Sequence, residues 1–245
     1  MTISNASSRY WSATRAPRYS LTFALPLLVA YEALAFCLSH DSIAGVRNGA
    51  DVLLESVFVL LGGREGLLGF GALLVGTGVV LVWRDRRRSG LVEGRVFLLM
   101  AIESVLYALG FGLVVGTLTG PLLRLTVGPD GAGLATQLMI SLGAGIYEEL
   151  LFRVLLVGAL AWAGRRLFGW GAGAAGALAT LLGALIFSAF HYVGPYGDRL
   201  ELASFTFRAI AGVLFSGLYL LRGFGITAWT HALYDVLLAL AGAGL

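Results

Sequence analysis

The chain of 245 residues is 58% hydrophobic and only 13% charged, with mean hydropathy +0.86. A soluble domain carries roughly 25% charged residues, so an ordinary soluble fold is excluded and an integral membrane protein is implied. All 17 basic residues are arginine against 14 acidic ones, a balance of +3 that gives no indication of nucleic acid as a partner.

A helix crossing a hydrocarbon core of ~30 Å needs about 20 apolar residues. In chain order the candidate spans are Leu21 to Leu38, Leu67 to Trp83, Val96 to Thr119, Leu134 to Ala161, Ala174 to Tyr192, Phe205 to Leu221 and Phe224 to Ala243. The apolar stretch Val52 to Leu61 is too short to span and reads as an interfacial or re-entrant helix. The expected fold is therefore all-α, a single membrane domain over residues 1–245. It is a polytopic bundle of about seven transmembrane helices plus the short one, with no visible internal repeat. Gly171 to Gly176 reads as a small-residue packing surface between helices rather than a linker.

With the N-terminus inside, the inner segments hold Arg9, Arg15, Arg18, Arg84, Arg86, Arg87, Arg88, Arg95, Arg165, Arg166 and Arg222. The outer ones hold Arg47, Arg64, Arg124 and Arg199, and eleven against four places the N-terminus in the cytoplasm. A cleaved leader ending at Ala33-Leu34-Ala35 is disfavoured, because Glu32 adjoins the small-residue site and the first span is long enough to stay.

One cysteine, Cys37, and three histidines, His40, His191 and His231, make neither a disulfide framework nor a cysteine-rich zinc module. Ionisable residues within spans are costly and mark functional sites. Here they are Glu32, Glu103, Glu148, Glu149, Arg153, Arg208, His231 and Asp235, with His191 at the end of the fifth span. Glu32 and Glu103 stand alone in their helices and read as protonated carboxyls bonded across to a neighbouring helix.

The fourth span carries Glu148, Glu149 and Arg153 in its middle. Residues four apart share a helix face, so Glu149 and Arg153 can pair, while Glu148 is turned about 100° away toward the bundle interior. In the fifth span Phe187 precedes His191 by the same step, and in the seventh His231 precedes Asp235. Each pair alone is weak. Jointly they supply a glutamate, two histidines and an aspartate inside one bundle, an inventory for activating water and stabilising an oxyanion.

The order Glu-Glu-x-x-x-Arg, Phe-x-x-x-His, His-x-x-x-Asp resembles the CPBP family of intramembrane proteases, also called the Abi or CAAX-protease family. The likeness covers residues 134–240, including Gly212 to Arg222 on the approach to the third motif, and makes that segment the expected catalytic core. The resemblance implies an intramembrane endopeptidase acting on a membrane-anchored protein or peptide. Glu148 and His191 would hold and deprotonate water, His231 and Asp235 would face the oxyanion, and Glu149, Arg153 and Phe187 would support them. The family's last motif position is usually asparagine, and Asp235 can donate a hydrogen bond only when protonated. A glutamate-type, metal-free mechanism is favoured. The usual paired-histidine zinc motif is absent, and zinc is kept as the alternative because Glu148, His191, His231 and Asp235 are all acceptable ligands.

Straight spans would keep His191, near the outer end of its helix, apart from His231, near the inner end of its own. Their meeting requires tilt, a broken helix, or a Gly223-Phe224-Gly225 hairpin at membrane depth, which is tolerated where it lines a wet cavity. Two other functions compete: a non-proteolytic immunity or scaffold protein of the same fold, and an ion or proton transporter relaying through Glu32, Glu103 and Glu148. The scaffold would have no reason to keep the three motifs intact, and the transporter should show inverted repeats. The arginine-only, Gly- and Ala-rich composition looks bacterial, which points to the inner membrane and away from a prenylated substrate.

Overall fold

In the computed structural model, which describes residues 3–39, 47–89, 92–123, 133–193 and 197–242, the regular elements are all helical. A bilayer core offers backbone groups no water, and helices satisfy their own N–H and C=O groups within the segment. The amphipathic α1, Ile3–Arg15, is followed at Ala16 by α2, Pro17–Ser39. Pro17 fits there because the first residue of a helix has no internal N–H bond to lose. The next elements are α3, Gly49–Ser89, and α4, Gly94–Leu123. One helical run then passes through α5, Leu134–Gly143, a π-helical segment, Ala144–Val157, and α6, Gly158–Leu167. The chain ends with α7, Ala172–Phe190, α8, Leu202–Arg222, and α9, Phe224–Gly242.

Among the described residues five helices are long and apolar enough to cross a membrane: Pro17–Leu38, Gly94–Leu118, Ala172–Phe190, Leu202–Arg222 and Phe224–Ala241. The other two predicted spans fall in interrupted helices. Leu67 to Trp83 lies in α3 beyond a break at Gly62 and Gly63, the latter at φ 59°, and Val52 to Leu61 lies before it. The span from Leu134 to Ala161 runs through the π-helical segment, whose i→i+5 bonding widens the turn. His40 and Arg124 lie outside the described residues.

Helix α9 packs against α2, α4, α5, α8 and the π segment, so it runs through the centre of the bundle. The core beside it joins Leu27 and Tyr31 of α2, Met139 of α5, Tyr147 and Phe152 of the π segment, Phe187 of α7 and Ala232 of α9. Close approach of the π segment to α9 depends on Gly145. A Cβ there would stand 2.5 Å from the Ala228 carbonyl oxygen and 2.7 Å from the Ala232 Cβ.

One sequence expectation is corrected here. Arg222 is not a loop charge: it is fully buried, with Nε 2.5 Å and Nη2 2.7 Å from the Glu103 carboxylate, which also accepts from the Tyr10 hydroxyl at 2.7 Å. Glu32 takes bonds from Arg47 at 3.3 Å and from the Tyr147 hydroxyl at 2.7 Å. Both glutamates reach a neighbouring helix, as expected, and a guanidinium meets each of them.

Candidate active site

The third motif reaches the first because α8 and α9 are joined by Gly223 alone, at φ 79°, a backbone setting that a side chain would strain. The hairpin is buried. The Gly225 N–H donates to the Ser20 hydroxyl at 2.8 Å, and Ile226, Thr227 and Ala228 are fully enclosed. A buried hairpin is one of the three routes, beside tilt and a broken helix, that the sequence leaves for His191 and His231 to approach, and here it sets His231 beside the π segment.

Glu149 and Arg153 pair as expected, at 3.3 Å, and both are completely buried. The same oxygen of Glu149, Oε1, stands 2.6 Å from His231 Nδ1. The carboxylate accepts, so Nδ1 carries the proton and the imidazole orientation is set by the first motif. His231 stacks on Phe215 with centroids 4.3 Å apart, and its Nε2 lies 3.5 Å from Asp235 Oδ2, too long for a good hydrogen bond. The Arg153 guanidinium lies over the Phe187 ring at 4.3 Å, a cation–π contact that offsets part of its desolvation.

Phe187 also touches both histidines, with ring centroids 4.9 Å from His191 and 6.4 Å from His231. His191 follows the last residue of α7, and its Nδ1 lies 2.9 Å from the Phe187 carbonyl oxygen. A carbonyl can only accept, so Nδ1 holds the proton and Nε2 is left as the basic nitrogen. The Asp198 N–H donates to the His191 carbonyl at 2.9 Å, and Arg208 pairs with the Asp198 carboxylate.

Glu148 points away from the Glu149 pair, as the helix-face reading expects, and is within Coulombic reach of both His191 and His231. Its Oε1 accepts from Asn48 Nδ2 at 2.9 Å, a partner that the sequence reading misses. Asn48 is buried and caps α3, its Oδ1 accepting the Ala50 N–H at 2.9 Å. Its own N–H donates to the Tyr31 hydroxyl at 3.1 Å, which donates to Asp51 at 2.7 Å, and Asp51 accepts from Arg47 at 2.7 Å. An asparagine before an apolar helix is a cap signature, which could have marked Asn48 as a helix start but not as the partner of a residue a hundred positions away.

Among the described residues no group of three or more histidine, cysteine, aspartate or glutamate side chains is arranged to hold a metal ion. His231 Nδ1 is committed to Glu149 and His191 Nδ1 to a backbone carbonyl, which leaves Nε2 of each ring as the nitrogen open to water, substrate or a ligand.

Residues 131–237 match the family model described as "Type II CAAX prenyl endopeptidase Rce1-like". This segment is similar to the CAAX-protease family. The matched range holds Glu148, Glu149, Arg153, Phe187, His191, His231 and Asp235, and it stops short of Asn48 and the rest of the N-terminal half. No curated protein and no solved structure matches the chain.

Proposed function

We propose that the chain is a glutamate-type intramembrane endopeptidase, hydrolysing a peptide bond of a membrane-anchored protein or peptide. The observation that supports this most is the setting of Glu148. It is a buried carboxylate outside the Glu149–Arg153 pair, fixed by Asn48 and within Coulombic reach of two imidazoles. An ion-pair network with a purely structural role would leave that extra carboxylate without a reason.

In this reading a water molecule lies between Glu148 and His191 Nε2. Glu148 takes a proton from it as the oxygen attacks the scissile carbonyl carbon, and the carbonyl π electrons move onto its oxygen. His231, oriented by Glu149 at Nδ1, offers an N–H toward the oxyanion from Nε2 when both ring nitrogens are protonated. Collapse of the tetrahedral intermediate breaks the C–N bond, and the proton held on Glu148 passes to the leaving amine. No step is routed through a metal.

The same reading takes the cell membrane as the protein's location, with the N-terminus cytoplasmic. It takes a polypeptide without a prenyl group as the substrate, despite the prenyl substrate in the family model's description. The test is cleavage of a membrane-tethered peptide library by the protein reconstituted in liposomes. Cleavage by the parent and none by a folded Glu148→Gln variant is the expected result. A scaffold function would give none from either, and a different catalytic group would leave Glu148→Gln active.

A further inference from the structure

Away from the catalytic residues, a cleft of 720 Å³ opens where α6 turns into α7, lined by Trp162, Arg165, Arg166, Trp170, Gly171 and Ala172 among others. Its walls are fixed by the turn. The Trp170 N–H donates to the Gly164 carbonyl at 3.1 Å, and the indole lies over Gly164, where a Cβ would stand 2.9 Å from the ring. Arg165 and Arg166 occupy the last turn of α6 and are exposed, and among the described residues neither has an ion-pair or hydrogen-bond partner. The cleft's lining contains no acidic residue.

Arginines at the end of a helix can be explained by its dipole, and arginines beside a span by topology alone. Neither accounts for a cleft that brings two arginines and two tryptophans into one lining at the start of a span, Ala172–Phe190. Leu167 and Phe168 next to them are about two-thirds exposed, at 67% and 65%, which places an apolar surface on the same rim. Tryptophan rings settle at headgroup depth, and guanidinium groups pair with phosphate through two parallel bonds. The uncapped N-terminus of α7, with no acid in its first turn, adds free N–H groups of the same polarity.

We propose that this cleft binds the phosphate headgroup of an anionic phospholipid, with Arg165 and Arg166 on the phosphate and Trp162 and Trp170 against the glycerol and upper acyl chain. The occupant is a lipid rather than a soluble phosphate because the cleft sits at the mouth of a span and its rim is apolar.

The experiment is lipid binding to the detergent-solubilised full chain by native mass spectrometry, comparing phosphatidylglycerol, phosphatidylcholine and glycerol 3-phosphate. The parent is expected to retain phosphatidylglycerol at least about tenfold better than phosphatidylcholine, and Arg165→Gln/Arg166→Gln to lose that preference. An Arg86→Gln/Arg88→Gln control, altering exposed arginines at the end of α3, is expected to keep it. If the glutamine pair does not insert, Ala172→Glu gives the same readout. It places a carboxylate in the cleft at a helix start, where an acid is stabilising for the fold. Equal retention of the two lipids by the parent, an unchanged preference in both cleft variants, or glycerol 3-phosphate binding as tightly as the lipid would each overturn the proposal.

Discussion

His231 Nδ1 lies 2.6 Å from Glu149 Oε1, so the second glutamate of the first motif holds the imidazole of the third. The oxygen is shared with Arg153 at 3.3 Å, which makes Glu149 the joint between a buried cation and a candidate catalytic ring. A residue with that position acts on chemistry and on folding together, whereas Glu148, hydrogen-bonded to Asn48 and within Coulombic reach of both histidines, lies outside that ion pair.

Glu148→Gln is therefore expected to abolish peptide cleavage with little change in the thermal midpoint of the purified protein. Glu149→Gln and Arg153→Leu are expected to lower both. Breaking a buried pair strands one uncompensated charge, at roughly 3–5 kcal/mol. Thermal unfolding in detergent beside a cleavage assay checks this, and an Arg153→Leu variant as stable as the parent would refute the assignment.

Asn48 sits outside the segment that carries the motifs, yet its amide donates to Glu148 at 2.9 Å. A hydrogen bond to a charged group contributes about 1.5–3 kcal/mol, so Asn48→Ala is expected to cut the cleavage rate by roughly tenfold or more. Asn48→Asp, which keeps the cap oxygen but sets a second carboxyl against Glu148, is expected to be worse than alanine in rate and better in stability. Rates and melting temperatures of the two variants moving in the same order would show that Asn48 serves the fold alone.

The face separation of Glu148 from Glu149 and the pairing of Glu149 with Arg153 were legible because they depend on helical spacing within one span, and the i,i+4 neighbour survives the wider π turn. The Phe187–His191 step held for the same reason. Asn48 was not legible, since its bond to Glu148 joins a loop to a helix a hundred residues on and leaves no periodic trace. Arg222 was misread for a related reason. Counting arginines between spans treats each as solvated, and only the fold shows that α1, α4 and the α8–α9 turn enclose this one.

The Glu103–Arg222 pair offers a separate test of the bundle, far along α8 from Phe215 and the histidine it stacks on. Its bidentate bonds at 2.5 and 2.7 Å and the Tyr10 hydroxyl join α1, α4 and the end of α8. Arg222→Leu is expected to cost roughly 3–5 kcal/mol, and Glu103→Gln less, because glutamine keeps an oxygen for the guanidinium. Activity per folded molecule should stay near the parent value in Glu103→Gln. A proton relay through Glu103 predicts the opposite, loss of proton flux across liposomes with no loss of stability, and a flux assay on the same samples distinguishes them.

Asp235 stands where the family's last motif usually has asparagine, and its Oδ2 is 3.5 Å from His231 Nε2. That nitrogen is the one left to face an oxyanion, because Nδ1 is committed to Glu149. An ionised Asp235 competes with the oxyanion for the Nε2 proton and repels the negative charge as it develops, whereas an amide at the same place donates a hydrogen bond. Asp235→Asn is accordingly expected to keep or raise turnover, and Asp235→Leu, which removes both roles, to lose at least about tenfold. A chelator is expected to leave parent and Asp235→Asn alike unaffected. Were Asp235 instead a metal ligand or the orienter of His231, Asp235→Asn would itself fall by at least about tenfold. In the metal case the parent would lose activity to the chelator and regain it with zinc. An inactive asparagine variant with a chelator-sensitive parent would sink the metal-free mechanism, and an inactive one with an indifferent parent would reassign Asp235 to holding His231.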